Sequence, residues 1–138
     1  MDVNWKIEYL TGIDHIDSEH QRIISYAKDT FPSDKDLDLE EFIDKLETLL
    51  IYIQSHFKNE EDSMADMNYG LIALHKKDHD KISDAITGVI IDIKSGKSKS
   101  ISTYGALGLI IMDWSNRHFK SFDRIFADFC RASPSTPE

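Results

Sequence analysis

The sequence predicts an all-α protein, an up-down-up-down antiparallel four-helix bundle with an irregular N-terminal arm. Three observations carry that prediction. Proline occurs only at Pro32, Pro134 and Pro137, so the long stretch between the first two lacks the strongest helix breaker. Four segments space their apolar residues at helical intervals. The segments between them are short and polar, which favours antiparallel neighbours.

The chain has 138 residues, the size of one domain, with an ordinary globular balance of 41% hydrophobic and 30% charged residues. A chain of this length buries roughly 70% of its unfolded surface and needs no staples. Lys and Arg number 16 against 25 Asp and Glu, a net charge of −9 that argues against nucleic acid or an anionic membrane as the main partner. The single Cys130 excludes an intrachain disulfide framework and fits a reducing compartment. Purely apolar runs such as Leu109 to Met112 are far too short to span a bilayer, and the first residues carry no basic-then-apolar signal. The expectation is a soluble cytoplasmic domain with an arm over residues 1–16, a bundle over 17–130, and a flexible tail or linker start over 131–138.

The first helix is expected from about Asp17 to Thr30, with Asp17 or Ser18 as N-cap and Ile23, Ile24 and Ala27 on its inner face. The second runs from about Asp38 to Met64 along the stripe Phe42, Leu46, Leu49, Ile53, His56, Glu60 and Met64. A turn in MNYG, with Gly70 as its turn residue, leads to the third, about Leu71 to Ile93, with His75, His79, Ile82, Ile86, Val89 and Ile93 on one face. After a connection around Gly96, the fourth spans about Ser100 to Phe129 through Tyr104, Leu107, Ile111, Trp114, His118, Phe122, Ile125 and Phe129. Trp5 and Tyr9 of the arm are available to pack on the bundle.

His56, Glu60, His75, His79 and His118 stand on apolar stripes, where unpartnered polar groups are costly. Residues four apart on a helix lie about 40° apart around its axis and roughly 6 Å along it. The pairs His56/Glu60 and His75/His79 can therefore converge on one metal ion or two adjacent ones. His20 sits one turn before Ile23 and Ile24 on the same side of the first helix, and Asp123 follows His118 by five residues. Five residues turn an ideal helix by about 140°, so either the helix is deformed there or Asp123 approaches from the side as a bridging carboxylate. Singly, each residue reads as a satisfied core histidine, a cap or a surface charge. Together, five of the six histidines and two carboxylates fall at one level of four consecutive helices, which reads as a metal centre. His15 is left over as an exposed loop residue. Seven ligands exceed what one tetrahedral zinc uses, which implies two ions. Imidazole with carboxylate suits iron, copper, nickel or zinc, and carboxylates that can bridge favour a pair of irons. A histidine-rich set with few anionic ligands favours the reduced pair and reversible O2 binding over oxygenation.

The run of IDSEH, HFKNE, HKKDH and HFKSFD, in that order and spacing, resembles the hemerythrin family, in particular its bacterial members, from Trp5 to about Phe129. The resemblance implies a non-haem di-iron centre. His75, His79 and His118 would complete one iron, and His20 and His56 would hold the other with a position open. Glu60 and Asp123 would bridge the two beside an oxo or hydroxo group, and O2, or possible substitutes such as NO and small anions, would bind at the open iron. The resemblance also nominates Phe57, Trp114 and Phe119 as an apolar lining of the ligand pocket, although simple core packing accounts for them equally well. Ser115 departs from the leucine common in the family three residues before the last histidine, which would widen the access path or admit water.

The role implied first is O2 binding for storage or delivery, without catalysis. The next is an O2-, NO- or redox-sensing module of a larger signalling protein, towards which Ser115 and the Pro/Ser-rich tail lean; its output domain would lie outside these residues. A di-iron oxidase or ferroxidase ranks lower because no spare acid or base stands out near the centre, and a zinc-stabilised interaction domain is the fourth alternative. No nucleophile arrangement or phosphate-binding loop is present, since Gly105 and Gly108 fall inside a helical stripe.

Overall fold

A computed structural model describes residues 6–31, 38–96 and 101–132, with the side chains of 101–103 excepted. Trp5, the connections around Pro32 and Lys97, and the tail beyond Ala132 lie outside the described residues. The described chain folds as a four-helix bundle whose fourth helix is broken in two: α1 Asp14–Thr30, α2 Leu39–Asp66, α3 Ile72–Lys94, α4 Ile101–Lys120 and α5 Phe122–Ala132. Each of the first three helices packs on the next in sequence, and α4 also returns to α1, which closes the ring. Among the described residues, no helix is long and apolar enough to cross a membrane.

The apolar spacing places the core as the sequence predicts. Ile23, Ile24 and Ala27 of α1, Leu46, Leu49 and Ile53 of α2, Ile82 and Ile86 of α3, and Leu107 and Ile111 of α4 are all buried in one cluster. A second, smaller cluster gathers Ile16, Met64, Tyr69, Phe126 and Cys130 at the opposite end. The bundle thus runs from one apolar cluster to the other, and the stretch between them carries most of the buried polar residues.

Helix boundaries follow local chemistry. The Asp38 carboxylate caps α2 by accepting from the backbone N–H of Glu40 at 3.1 Å and Glu41 at 3.4 Å. At the other end of α2, Gly70 lies in a turn as expected, closed by the Ile72 N–H on the Tyr69 carbonyl at 3.2 Å, and Asn68 makes the turn that ends the helix. Asn68 takes the left-handed conformation at φ 55°, its N–H bonds to the Ala65 carbonyl, and the Tyr69 N–H bonds to the Met64 carbonyl. Those two bonds form the Schellman closure, with Tyr69 packing back towards Met64. Gly96, at φ 76°, ends α3 in the expected place.

The arm corrects two expectations. Residues Ile7–Tyr9 form a 3-10 turn, and α1 begins at Asp14, so His15 lies exposed in the first helical turn and not in a loop. Asp17 does not cap the helix that contains it. Its carboxylate accepts from the Thr11 N–H and hydroxyl, both at 2.8 Å, and from the Gly12 N–H at 3.1 Å, tying the arm to α1. Gly12 stands at φ 89°, where a Cβ would come within 3.0 Å of Arg131 Nη1, and that same nitrogen donates to the Thr11 carbonyl at 2.5 Å. Tyr9 is fully buried, edge-on to Phe119 with ring centroids 5.5 Å apart.

The fourth helix holds the main departure from the sequence pattern. It breaks at Ser121, whose hydroxyl donates back to the Arg117 carbonyl four residues earlier. Such back-bonding bends helices. The break re-aims everything after it: Asp123, Phe126, Ala127 and Cys130 turn inward, while Ile125, expected on the core stripe, is exposed.

Candidate metal centre

All seven residues singled out by the spacing meet between the two apolar clusters. His20 comes from α1, His56 and Glu60 from α2, His75 and His79 from α3, His118 from the end of α4 and Asp123 from the start of α5. All are buried. The five-residue step from His118 to Asp123 is resolved by deformation of the helix: with the break at Ser121 between them, Asp123 Oδ1 stands 3.0 Å from His118 Nε2.

Each carboxylate divides its two oxygens between two groups of histidines. Asp123 Oδ1 faces His75 Nε2 at 2.9 Å and His118, while Oδ2 faces His20 Nε2 at 2.9 Å. Glu60 Oε1 faces His75 Nε2 at 2.8 Å and His79 Nε2 at 3.1 Å, while Oε2 faces His56 Nε2 at 3.6 Å. One oxygen of each acid therefore serves the set His75, His79 and His118, and the other serves the set His20 and His56.

Three carboxylates that the sequence pattern does not single out stand behind the histidines. The Nδ1 atoms of His56, His79 and His118 donate to Glu19, to Glu61 at 2.8 Å and to Asp78 at 2.6 Å. The arrangement has a local cause. Glu19 adjoins His20, Glu61 adjoins Glu60 and Asp78 adjoins His79; neighbours on a helix point about 100° apart. Each acid therefore aims not at the centre but at the histidine of the next helix. An acid adjoining one motif residue on each of α1, α2 and α3 is the signal that would have found them. The partner bonds fix each imidazole's tautomer and orientation with Nε2 turned inward. His20 Nδ1 and His75 Nδ1 find no such partner.

Aromatic rings cover the histidines from the outside. Phe57 stacks on His79 with centroids 3.8 Å apart, Phe119 on His20 at 3.9 Å and Trp114 on His118 at 4.3 Å. Trp114 is held by its Nε1–H, which donates to the Asp78 carbonyl at 3.0 Å. Ser115 is fully buried in α4, and its hydroxyl has no hydrogen-bond partner among the described residues.

The electrostatics follow from the crowding. Burial pushes the Asp123 carboxyl up, but the imidazoles of His118 and His20 outweigh it and hold the group well below its usual range. Burial and Asp123 act likewise on Glu60, which His75, His79 and His56 bring below its ordinary value. Burial pulls His118 down, yet Asp123, Asp78 and Glu60 overcome it and raise the imidazolium to about 9. His56 and His75 are raised by their acid neighbours in the same way.

Both inward-facing acids are therefore ionised at neutral pH, and the proton on His118 is what a metal must displace. Metal affinity is expected to rise with pH up to about 9, by about tenfold per pH unit for each proton released. The metal-free chain should show the opposite trend. A histidine raised from 6.5 to about 9 by folding stabilises the fold fully below 6.5, and that contribution is lost as pH climbs through about 9. Zinc titrations and thermal melts of the stripped protein between pH 6 and pH 9 measure the two slopes; parallel slopes would contradict the assignment.

The donor set fits a metal. Both Glu60 oxygens, Asp123 Oδ2, His20 Nε2 and His79 Nε2 are buried without a properly directed hydrogen bond, although they crowd within contact of one another. Ligand atoms of Glu60, His75, His79, His118 and Asp123 all lie within 4.8 Å of one another, as do those of His20, His56 and Glu60. Imidazole nitrogens and carboxylate oxygens suit first-row transition ions, iron among them.

Comparison with known proteins agrees with this geometry. Residues 11–130 match the family described as the hemerythrin HHE cation binding domain. The bacteriohemerythrin of Clostridium acetobutylicum is 29% identical over 132 residues, covering 90% of this chain and 98% of its own length. That of Pseudomonas aeruginosa is 26% identical over 131 residues, covering 95% and 83%. A crystal structure of wild-type hemerythrin superposes with a TM-score of 0.81 at 21% identity, over 91% of this chain and 95% of that one. With its HHE-type sequence match, its bundle and its buried histidine–carboxylate cluster, the chain belongs to the hemerythrin family of non-haem iron proteins.

Proposed function

We propose that the chain binds O2 reversibly at a pair of iron ions, as a binding protein and not an enzyme. The observation that carries this reading is the division of the Glu60 and Asp123 oxygens between a three-histidine and a two-histidine set. Two acids placed so would hold two ions between them, with His75, His79 and His118 on one side and only His20 and His56 on the other. Iron held there would supply the electrons that make O2 binding both firm and reversible. The chain's own residues do the rest. Glu19, Glu61 and Asp78 hold three imidazoles in line, while Phe57, Trp114 and Phe119 keep bulk water from the ligands.

The test is metal content and visible spectra of the dithionite-reduced protein under argon, then air, then argon. About two iron ions per chain, with a visible band that rises in air and fades under argon, is the expected result. Zinc, or iron without an O2-dependent band, overturns the proposal.

Ser115 favours a second role within the same chemistry. A hydroxyl buried in α4 one turn before His118, with no hydrogen-bond partner among the described residues, would offer water and protons a foothold where a dry wall protects the oxygenated state. Fast autoxidation suits sensing of O2, NO or redox state better than storage. Ser115→Leu is expected to slow the loss of the O2-dependent band, and equal decay rates in the two proteins would remove the argument.

A further inference from the structure

The centre is not enclosed equally on all sides. Rings stack on His20, His79 and His118; among the described residues none stacks on His75, which Phe122 and Phe126 meet edge-on, or on His56, where Phe57 stands tilted at 6.0 Å. On that side a cleft of about 660 Å3 opens between the start of α1, the last turns of α2 and α5, and His56 and Glu60 form its inner end. A liquid water occupies about 30 Å3, so the cleft far exceeds what a diatomic gas requires and falls in the size range of small-molecule sites.

Its walls state the chemistry. Ile13, Ile16, Met67 and Phe126 give it apolar sides. Asn59 and Ser63, one turn apart on α2 in line with His56 and Glu60, supply neutral hydrogen-bonding groups. Its acids and bases are equal in number, Glu19, Glu60 and Asp66 against His15, His56 and Arg131, and Glu19 is already paired with His56 and Arg131 with the Thr11 carbonyl and the Asp128 carboxylate. No unpaired excess of either sign calls for a charged occupant, and the apolar walls favour a neutral one. The Glu60 oxygens, buried and without a directed hydrogen bond, make the inner end polar.

We propose that this cleft is a binding site for a small neutral organic molecule with an apolar body and a hydroxyl head, of the phenol or quinol class, seated beside the two-histidine side of the centre. Its nearness to an iron with an open position rests on the function proposed above; the cleft itself does not. Such an occupant would control what else reaches the open side.

The probe is 4-ethylphenol, titrated calorimetrically into the iron-loaded protein while iron content and the visible spectrum are recorded on the same samples. One saturable site per chain is expected, with a shift of the visible band on binding and weaker binding of the anion 4-ethylbenzoate. Ser63→Trp, which fills the cleft from an exposed position on α2, should weaken 4-ethylphenol binding by at least about tenfold, and Asn59→Trp should do the same. Absence of saturable binding, or affinity unchanged in both variants, overturns the proposal. Missing iron with 4-ethylphenol binding that Ser63→Trp blocks would sink the metal reading and leave the cleft assigned.

Discussion

Asp123→Ala is expected to leave the protein with one metal ion or none per chain and without an O2-dependent band. The size of the effect follows from the position of the carboxylate. Its Oδ1 serves His75 and His118 and its Oδ2 serves His20, at 2.9 to 3.0 Å. On the proposed di-iron reading, removing it would take a ligand from both ions at once, along with a negative charge that would balance the cations. The loss should exceed the roughly 10- to 100-fold cost of removing a supporting partner. Asp123→Asn keeps the shape but not the charge, and should retain more metal than alanine while still losing the pair. Metal analysis after gel filtration decides it; two irons retained in Asp123→Ala would refute the bridging role.

The second prediction concerns a residue that touches no metal. Asp78→Ala is expected to weaken metal retention about 10- to 100-fold, measured by chelator competition. The carboxylate accepts from His118 Nδ1 at 2.6 Å. Without that acceptor the imidazole loses its fixed orientation and part of its donor strength. The Asp78 backbone carbonyl, which holds Trp114, survives the substitution, so the stacked wall on His118 stays in place and the effect reports the carboxylate alone. Asp78→Asn, which still offers an oxygen, should recover part of the loss. Chelator curves that coincide for wild type and Asp78→Ala would show that His118 is held by packing only.

The legible part of this protein is what period alone specifies. Stripes at steps of three and four residues located the four helices, their inner faces and the level at which His20, His56, His75, His79 and His118 meet. What escaped depends on single hydrogen bonds between residues that look ordinary in sequence. Ser121 resembles any exposed serine, yet its bond to the Arg117 carbonyl breaks the helix, brings Asp123 inward and turns Ile125 out. Asn68, unmarked in sequence ahead of the turn at Gly70, takes the left-handed conformation that ends α2 because asparagine tolerates it. Asp17 had the look of a cap but found the Thr11 hydroxyl and two arm N–H groups within reach. The supporting acids Glu19, Glu61 and Asp78 were hidden for a geometric reason: they belong to the neighbouring helix's histidine, which a reading along one helix does not see.

The polar level between the two apolar clusters has a consequence for cooperativity. The smaller cluster of Ile16, Met64, Tyr69, Phe126 and Cys130 has too few members to fold alone, and the layer separating it from the main core is made of charges that attract but do not interlock. Metal ions bound across four helices would act as rivets through that layer. Loaded, the bundle would open only as a whole; stripped, its lower end could unzip by local unfolding while the main core stays closed, so that iron supply sets how much of this protein behaves as one cooperative unit.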